Sequence, residues 1–295
     1  MIDPNFEDFL YRWHYKQRTV ELFRLYTKRL NEWLKEEAIE LKNCSYSDIL
    51  AYVKKLKKQG NTTNNMSSQL SALKQYFSYL KQEKIITNHP CKTLVLRGGI
   101  RRIPHDLLSK ETLQEIYDSY QNASRTGKRD KLMLSFVIFQ GLFKNEVLNI
   151  EPNDLNLLQG TVYIIGNGKT KARTLMLEPV QIIPLQEYCK EIRPELIKEK
   201  GVESPYLFVS KGKCINAGNS LYELLEVLKR KHPELKNFQH IRVSLISHWI
   251  KEKNIREVQH QAGHKTIVGT ELYKSVDMKD LQESLAKFHP LNLIR

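Results

Sequence analysis

Apolar residues recur at the spacing of an α-helix through roughly the first hundred residues, and this periodicity constrains the fold more than any other feature. One such apolar stripe runs through residues 18–37. Two further helices are predicted to begin at Ser45 and at Thr62, because a hydroxyl side chain ahead of an apolar stripe is a common helix N-cap. We therefore predict that residues 1–88 form a small, all-helical bundle.

The helical pattern is interrupted once, between residues 89 and 106. This segment contains two prolines and a pair of adjacent glycines, a composition typical of an exposed linker. Helical periodicity returns after it. We therefore predict a linker at 89–106 and a second, larger domain at 107–295.

The second domain contains one clear strand signal. Two β-rich runs, 160–165 and 173–177, flank a turn rich in Gly and Asn and predict a β-hairpin. Residues 206–209 are the candidate for a short third strand. Among the predicted helices, one spans 131–148 and another begins at Arg242. The predicted fold class is mainly α, with a small antiparallel β-sheet in the second domain.

The chain has a strong excess of basic residues. It contains 47 Lys and Arg against 33 Asp and Glu, a net charge of +14. Such an excess favours a polyanionic partner, because side chains that neutralise phosphates release bound counterions. We interpret the charge as a sign of nucleic-acid binding, with a merely soluble basic protein as the alternative. In the linker, Arg97, Arg101 and Arg102 are the expected DNA contacts.

The four cysteines are widely separated. They form no C-x-x-C pair, and none has a histidine at zinc-ligand spacing. We therefore expect reduced thiols and no structural metal, as in a cytoplasmic protein. No apolar run approaches the roughly 18 residues that a membrane span needs, so we expect no membrane partner.

Three residues near the C-terminus have the chemistry to break a phosphodiester bond. The phenol of Tyr273 can serve as the nucleophile, and Arg242 can bind a phosphate through two parallel hydrogen bonds. His264 follows Gly263, and we expect it near a helix N-terminus, where it could donate to the same phosphate. Because a tyrosyl ester conserves the energy of the broken bond, this reaction would need neither a metal nor another cofactor.

In order and spacing these residues resemble the tyrosine recombinase (phage-type integrase) family. That family has an H-x-L-R box, then an L-G-H box, then a nucleophilic tyrosine nine residues after the second histidine. Arg242, His264 and Tyr273 keep this order, and the nine-residue step holds. Residues 140–148 resemble the family's T-G-L-R-x-x-E-L box, in which Glu146 would support the site. The N-terminal bundle resembles the family's SAM-like core-binding domain, so the resemblance covers essentially the whole chain.

Two motif positions depart from the family pattern. Phe143 stands where the family has its first arginine, and Gln239 stands where the H-x-L-R box begins, with His240 one position late. Lys144 would have to bend back to replace the arginine, since one helical step turns a side chain by about 100°. Gln239 can hydrogen-bond a phosphate but carries no charge. Losing one preorganised contact to the transition state typically costs about 3–4 kcal/mol, which slows such a reaction without abolishing it.

The turn of the predicted hairpin resembles the family's β-turn that carries a catalytic lysine. Alignment on the first glycine of the turn places Asn167 at that position, and a slip in the turn would recruit Lys169 or Lys171. Both lysines are therefore candidate catalytic residues. Two other basic residues beside these motifs are predicted DNA contacts: Arg173 and Lys265.

The resemblance implies site-specific DNA recombination, as in mobile genetic elements. The tyrosine would attack a DNA phosphate, form a 3′-phosphotyrosyl link and release a 5′-hydroxyl. The resemblance also implies double-stranded DNA as the partner and a homo-tetramer on two DNA sites, with a second recombinase as an alternative partner. The apolar tail 280–295 would either dock on a neighbouring subunit or pack on its own domain.

Two other functions stay open. A catalytically weakened relative could bind recombination sites as an accessory protein, and the residues at positions 143 and 239 favour it. An unrelated helical DNA-binding regulator would require the spacing between His264 and Tyr273 to be coincidental.

Overall fold

The computed structural model describes most of the chain as two compact units, Met1–Arg101 and Arg102–Arg295. The linker predicted at 89–106 spans the boundary between them. The predicted DNA contacts Arg97, Arg101 and Arg102 and the apolar tail 280–295 lie outside the described residues. The described residues are 4–96, 106–121, 123–201, 203–210 and 217–273.

The described residues of the first unit form a bundle of four α-helices, which confirms the predicted all-helical domain. Helices α3 and α4 begin where expected, because Ser45 accepts a hydrogen bond from the amide of Asp48, and Thr62 accepts one from the amide of Asn65. The apolar faces of all four helices enclose one core rich in aromatic side chains. The helices are α1 (Pro4–Arg12), α2 (Gln17–Glu36), α3 (Tyr46–Lys58) and α4 (Thr63–Gln82).

The described residues of the second unit form further helices, and the single helix predicted at 131–148 is wrong. The chain leaves the helix after Phe139 and re-enters one at Lys144, because Gly141 takes a φ of 60°, which a helix cannot include. A π-helical turn, Tyr188–Ile192, joins α8 to α9. The helices are α5 (Lys110–Ser119), α6 (Arg125–Phe139), α7 (Lys144–Leu148), α8 (Pro179–Glu187), α9 (Arg193–Lys200), α10 (Gly218–Lys231), α11 (Phe238–Glu252), α12 (Ile255–Ala262) and α13 (Val268–Glu271).

A three-stranded antiparallel sheet lies in the second unit, with strand order β1-β2-β3. The strands are β1 (Leu155–Asn156), β2 (Thr161–Ile164) and β3 (Arg173–Met176). The predicted hairpin is confirmed as β2–β3, in which Ile164 pairs with Arg173 beside the turn. Side chains alternate along β3, so that Arg173 and Leu175 are both buried.

The third strand predicted at 206–209 is wrong. Leu207, Phe208 and Val209 are fully buried, but their backbone is irregular. The amide of Leu207 donates to the carbonyl of Ile150 at 2.7 Å, and the carbonyl of Val209 accepts from the Arg129 side chain at 2.6 Å. These partners satisfy the buried backbone groups without a strand ladder.

The core of the second unit centres on α6, whose Met133, Phe136 and Val137 side chains are fully buried. Residues of the sheet and of α10 and α11 belong to the same core. A separate small cluster around Trp249 joins α11 to α12, and Tyr273 packs against it. This packing holds the C-terminal tyrosine beside both helices.

None of the helices in the described part of the chain is long and apolar enough to cross a membrane. The same residues contain no group of three or more His, Cys, Asp or Glu side chains placed to hold a metal ion. Cys44, Cys91 and Cys189 are free thiols, and Cys214 lies outside the described residues. Burial raises the pKa of Cys91 to about 12, so this thiol stays protonated at neutral pH.

The cap of α3 provides a test of the first unit. Replacing Ser45 with Ala removes the acceptor for the Asp48 amide and should weaken the helix start by about 1 kcal/mol. Amide hydrogen exchange in the first turn of α3 should then become roughly fivefold faster, since 1.4 kcal/mol corresponds to about tenfold. The control is Ser71→Ala at an exposed position within α4, which should leave exchange unchanged. Equal exchange in both variants would contradict the cap.

Candidate active site

Glu146 and Arg173 form a buried ion pair at the centre of the candidate site. Both side chains are at most 1% exposed. Nη1 and Nη2 of Arg173 donate to the two carboxylate oxygens at 2.8 and 3.2 Å. Burial raises the pKa of Glu146, but the hydrogen bonds and charge of Arg173, the Phe143 amide and the charge of Arg242 outweigh it and hold the pKa below its ordinary value. The carboxylate is therefore ionised at neutral pH.

The same arginine ties the hairpin to the end of α12. Nε of Arg173 donates to the carbonyl of Gln261 at 2.8 Å, and the amide of Lys171 donates to the carbonyl of Gly263 at 2.9 Å. Gly263 ends α12 with a φ of 69°, and a Cβ there would lie 2.5 Å from Nη1 of Arg173. Glycine is therefore required by conformation and by space.

This burial corrects one prediction. We predict Arg173 from the sequence as a DNA contact, but its side chain is fully buried and already bonded to Glu146 and Gln261. It therefore acts as an internal cross-link between α7, β3 and the end of α12, and is not a surface cation.

Arg242 lies inside α11, which begins at Phe238, one turn before the start predicted at Arg242, and its side chain is 1% exposed. Its Nη1 donates to the carbonyl of Gly141, and its Nη2 donates to the carbonyl of Ala262 at 2.5 Å. Both carbonyls lie at or just beyond helix C-termini, which carry partial negative charge. Burial lowers the pKa of Arg242 to about 10, an effect that the charge of Glu146 and, when it is ionised, the phenol of Tyr273 partly offset. The guanidinium therefore remains charged at neutral pH.

The ring of Phe143 lies over the Arg242 guanidinium. Cζ of Arg242 is 3.9 Å from the ring centroid, a close cation–π contact. The amide of Phe143 donates to Oε2 of Glu146 at 2.9 Å, which fixes the backbone at the start of α7. Among the described residues, the buried Nε of Arg242 has no hydrogen-bond partner. Phe143, predicted from the sequence to stand at the position of the family's first arginine, thus covers one face of Arg242.

His264 and Tyr273 stack on each other. Their ring centroids are 5.7 Å apart and their planes differ by 19°. Nδ1 of His264 lies 2.8 Å from Oγ1 of Thr270, a fully buried residue of α13, and this contact orients the imidazole. The expectation of a helix N-terminus at His264 is wrong, because this residue follows the C-terminal end of α12 and its amide donates to the carbonyl of Gln259.

Lys169 and Lys171 lie between β2 and β3, and both side chains are exposed. Asn167 shapes the turn, because its Oδ1 accepts hydrogen bonds from the amides of Lys169 and Thr170 at 2.7 and 3.0 Å. Asn167, which the sequence alignment places at the family's lysine position, therefore has a structural role in the turn. Since the backbone of Lys171 is bonded to Gly263, this lysine is held next to the glycine–histidine pair.

The remaining predicted site residues are exposed. Lys144 is the first residue of α7, Gln239 lies in the first turn of α11, and Lys265 follows the histidine. His240 is buried, and its ring nitrogen contacts the carbonyl of Asp106, so this ring belongs to the packing.

The structure brings together Arg242, His264 and Tyr273, which are far apart in the sequence. It also adds contributors that the sequence analysis does not identify: the two carbonyls that hold the arginine, and Thr270 beside the histidine. Backbone carbonyls leave no signal in a sequence. A buried threonine six residues after the histidine is recognisable only once the chain is folded.

Comparison with known proteins agrees with this geometry. Residues 106–280 match the family described as "Phage integrase family". The chain belongs to this family. Residues 6–84 also match the "Phage integrase, N-terminal SAM-like domain". The resemblance stated from the sequence and the predicted mainly α fold class are therefore confirmed.

Relatives and solved structures of the phage integrase family extend over most of the chain. A tyrosine recombinase XerC of Oceanobacillus iheyensis is 24% identical over 281 residues, which cover 92% of this chain and 90% of the relative. A tyrosine recombinase XerD of the same organism is 27% identical over 249 residues, covering 83% and 82%. The XerH site-specific recombinase bound to its difH substrate has a TM-score of 0.68 at 20% identity, covering 86% of this chain and 76% of that one. A lambda integrase dimer bound to a COC′ core site has a TM-score of 0.63 at 16% identity, covering 91% and 92%.

The buried ion pair gives a prediction for stability. Glu146→Gln leaves the charge of Arg173 uncompensated in the interior and should lower the free energy of unfolding by about 3–5 kcal/mol at pH 7. Because the folded-state pKa of Glu146 is lowered, the stability from the pair is complete above the unfolded-state pKa of about 4.3 and is lost as the pH falls through the folded value. The difference between wild type and variant should therefore narrow below about pH 4.

Urea unfolding at pH 7 and at pH 3.5 measures this difference. The control is Glu115→Gln at an exposed position of α5, which should change stability by less than about 0.5 kcal/mol at either pH. A Glu146→Gln protein as stable as wild type at pH 7 would show that the pair does not hold the site together.

Proposed function

We propose that this chain carries out site-specific DNA recombination by cleaving and rejoining DNA strands through a 3′-phosphotyrosine intermediate. The observation that carries this proposal is the placement of Tyr273. Its ring stacks on His264, and it lies near enough to Arg242, 31 positions earlier in the chain, for its ionised form to raise the pKa of that guanidinium. A nucleophile, an imidazole and a fixed cation thus lie close together, as cleavage of a phosphodiester requires.

The cleavage step follows from these groups. The phenol of Tyr273 loses its proton to solvent, and its Oη bonds to phosphorus while the bond from phosphorus to the 5′ oxygen breaks and the leaving oxygen takes up a proton. His264 and Arg242 would stabilise the charge on the non-bridging oxygens. Lys171 or Lys169 would supply the proton to the leaving oxygen, and Lys171 is favoured because its backbone is fixed to Gly263. Attack by a 5′-hydroxyl of the partner strand reverses these steps.

Double-stranded DNA is the proposed partner. The net charge of +14 and the exposed residues Lys144, Gln239 and Lys265 support a surface that contacts phosphates. The XerH and lambda integrase structures that share this fold were solved on DNA, the latter as a dimer. We further propose that this chain assembles as a homo-tetramer on two DNA sites and serves a mobile genetic element in the cytoplasm, with Arg97, Arg101 and Arg102 among its phosphate contacts.

One observation favours a second function, that of a catalytically weakened accessory protein. The Phe143 ring occupies one face of the guanidinium that should bind the phosphate, and the chain lacks a cation at that position. The missing contact alone would reduce the rate by some hundredfold to thousandfold. Such a chain would bind a recombination site while a second recombinase supplies the cleavage.

A covalent adduct tests the proposed chemistry. The full chain is incubated with a nicked suicide duplex that carries a site enriched by binding from random sequence, and the products are run on a denaturing gel. We expect a protein–DNA adduct with wild type and none with Tyr273→Phe, which lacks the nucleophilic oxygen. Tyr163→Phe on the exposed face of β2 is the control and should keep the adduct. Occupancy of the site without any adduct would favour the accessory function.

Position 143 gives a second test. Phe143→Arg uncovers the guanidinium of Arg242 and adds the missing cation, so adduct formation should rise at least tenfold. Phe143→Ala uncovers Arg242 without adding charge and separates the two effects. Both are measured as initial adduct rates at saturating protein. Rates that stay at the wild-type level in both variants would indicate a pocket that no longer supports cleavage.

A further inference from the structure

The second unit contains a cleft of about 230 Å³ that lies between the hairpin turn and one face of α12. The hairpin contributes Lys171 and Arg173, and the end of α12 contributes Gly263 and His264. The other residues that line it are Ala172, Arg256, Gln259 and His260. The cleft therefore extends from the candidate active site along α12 toward its first turn.

The α12 side of the cleft is one continuous face of the helix. Positions 259 and 260 each lie three or four residues from both 256 and 263, so the four positions share one face of an α-helix. Arg256 and His260 are exposed, and Nη1 of Arg256 donates to the neutral Oε1 of Gln259 at 3.3 Å. The guanidinium of Arg256 is thus bonded to an uncharged amide, which does not neutralise its positive charge.

The charge of the cleft is positive. Among the described residues that line it, none is acidic. The charge of Arg173 is balanced by Glu146, so Lys171 and Arg256 set the sign. Two cations and two imidazoles around a small polar space are suited to a phosphate, which accepts hydrogen bonds on every exposed oxygen.

We infer that Arg256 and His260 bind a DNA backbone phosphate within a few nucleotides of the one that Tyr273 attacks. This inference rests on the proposed function. Arg256 precedes Gly263 by seven residues, which is about 10 Å along the helix axis. Successive phosphates of one strand advance about 3.4 Å along the DNA axis. A strand that runs along α12, with its cleaved phosphate at His264, would therefore present a phosphate within a few nucleotides to Arg256.

The test measures binding in a Tyr273→Phe background, so that the result does not depend on cleavage. The affinity of the full chain for a fluorescent 40-base-pair duplex is followed by anisotropy between about 50 and 300 mM KCl. Losing one phosphate contact should reduce the slope of log affinity against log salt by about 0.9. Arg256→Gln should show this change, with a roughly fivefold to tenfold lower affinity near 0.1 M salt. Arg256→Lys should keep the slope, and His260→Gln should lower the affinity less.

The control is Arg230→Gln, which removes an exposed arginine of α10 that is not part of the cleft. An unchanged slope in Arg256→Gln, or an equal change in Arg230→Gln, would overturn the inference. The inference would also be overturned if Arg256→Gln, made in the protein that keeps Tyr273, reduced the rate of adduct formation a hundredfold at unchanged affinity. Arg256 would then contact the cleaved phosphate itself. Failure of the proposed function gives a different result. The protein that keeps Tyr273 would form no adduct, while Arg256→Gln would still reduce the slope of log affinity against log salt.

Discussion

The ion pair between Glu146 and Arg173 is the contact on which the geometry of the site depends. It joins α7, β3 and the end of α12 at one buried point, and each of these segments carries a residue of the site. A paired charge in the interior is stable only if its hydrogen bonds are satisfied, and here both carboxylate oxygens have an arginine donor. The pair therefore specifies where the three segments meet, which general apolar packing would leave less well defined.

Arg242 depends on the same arrangement. Its guanidinium is held by the carbonyls of Gly141 and Ala262. Each carbonyl lies within two residues of a backbone group that is hydrogen-bonded to a member of the ion pair. The result is a cation whose position does not rely on a ligand. However, the ring of Phe143 covers one face of this guanidinium, so that face contacts an aromatic ring. The site thus combines a tightly bonded frame with a central guanidinium that is partly covered by an aromatic ring.

Much of this could be predicted from the sequence, because the signals were local. Ser45 and Thr62 mark helix starts by their own hydrogen bonds, and the hairpin follows from alternation around a Gly/Asn turn. The interruption of the helix at Gly141 could not be predicted from the sequence, because apolar residues continue on both sides of this glycine. The burial of Arg173 had a signal in its alternation with Leu175, but an arginine beside a turn suggests solvent. The stacking of Phe143 on Arg242 joins positions 99 residues apart, and no local pattern reports such a pair.

The unpartnered Nε of Arg242 has a consequence for ligand binding. Most of the water around this guanidinium was removed when the protein folded, and a buried donor without an acceptor costs about 1–3 kcal/mol. An anion that reached Nε would recover this energy instead of stripping a hydrated surface cation. The unliganded protein therefore bears the cost of an unsatisfied donor, and an anion bound at Nε would gain affinity by removing that cost. The ring of Phe143 lies over the same guanidinium, with its centroid 3.9 Å from Cζ.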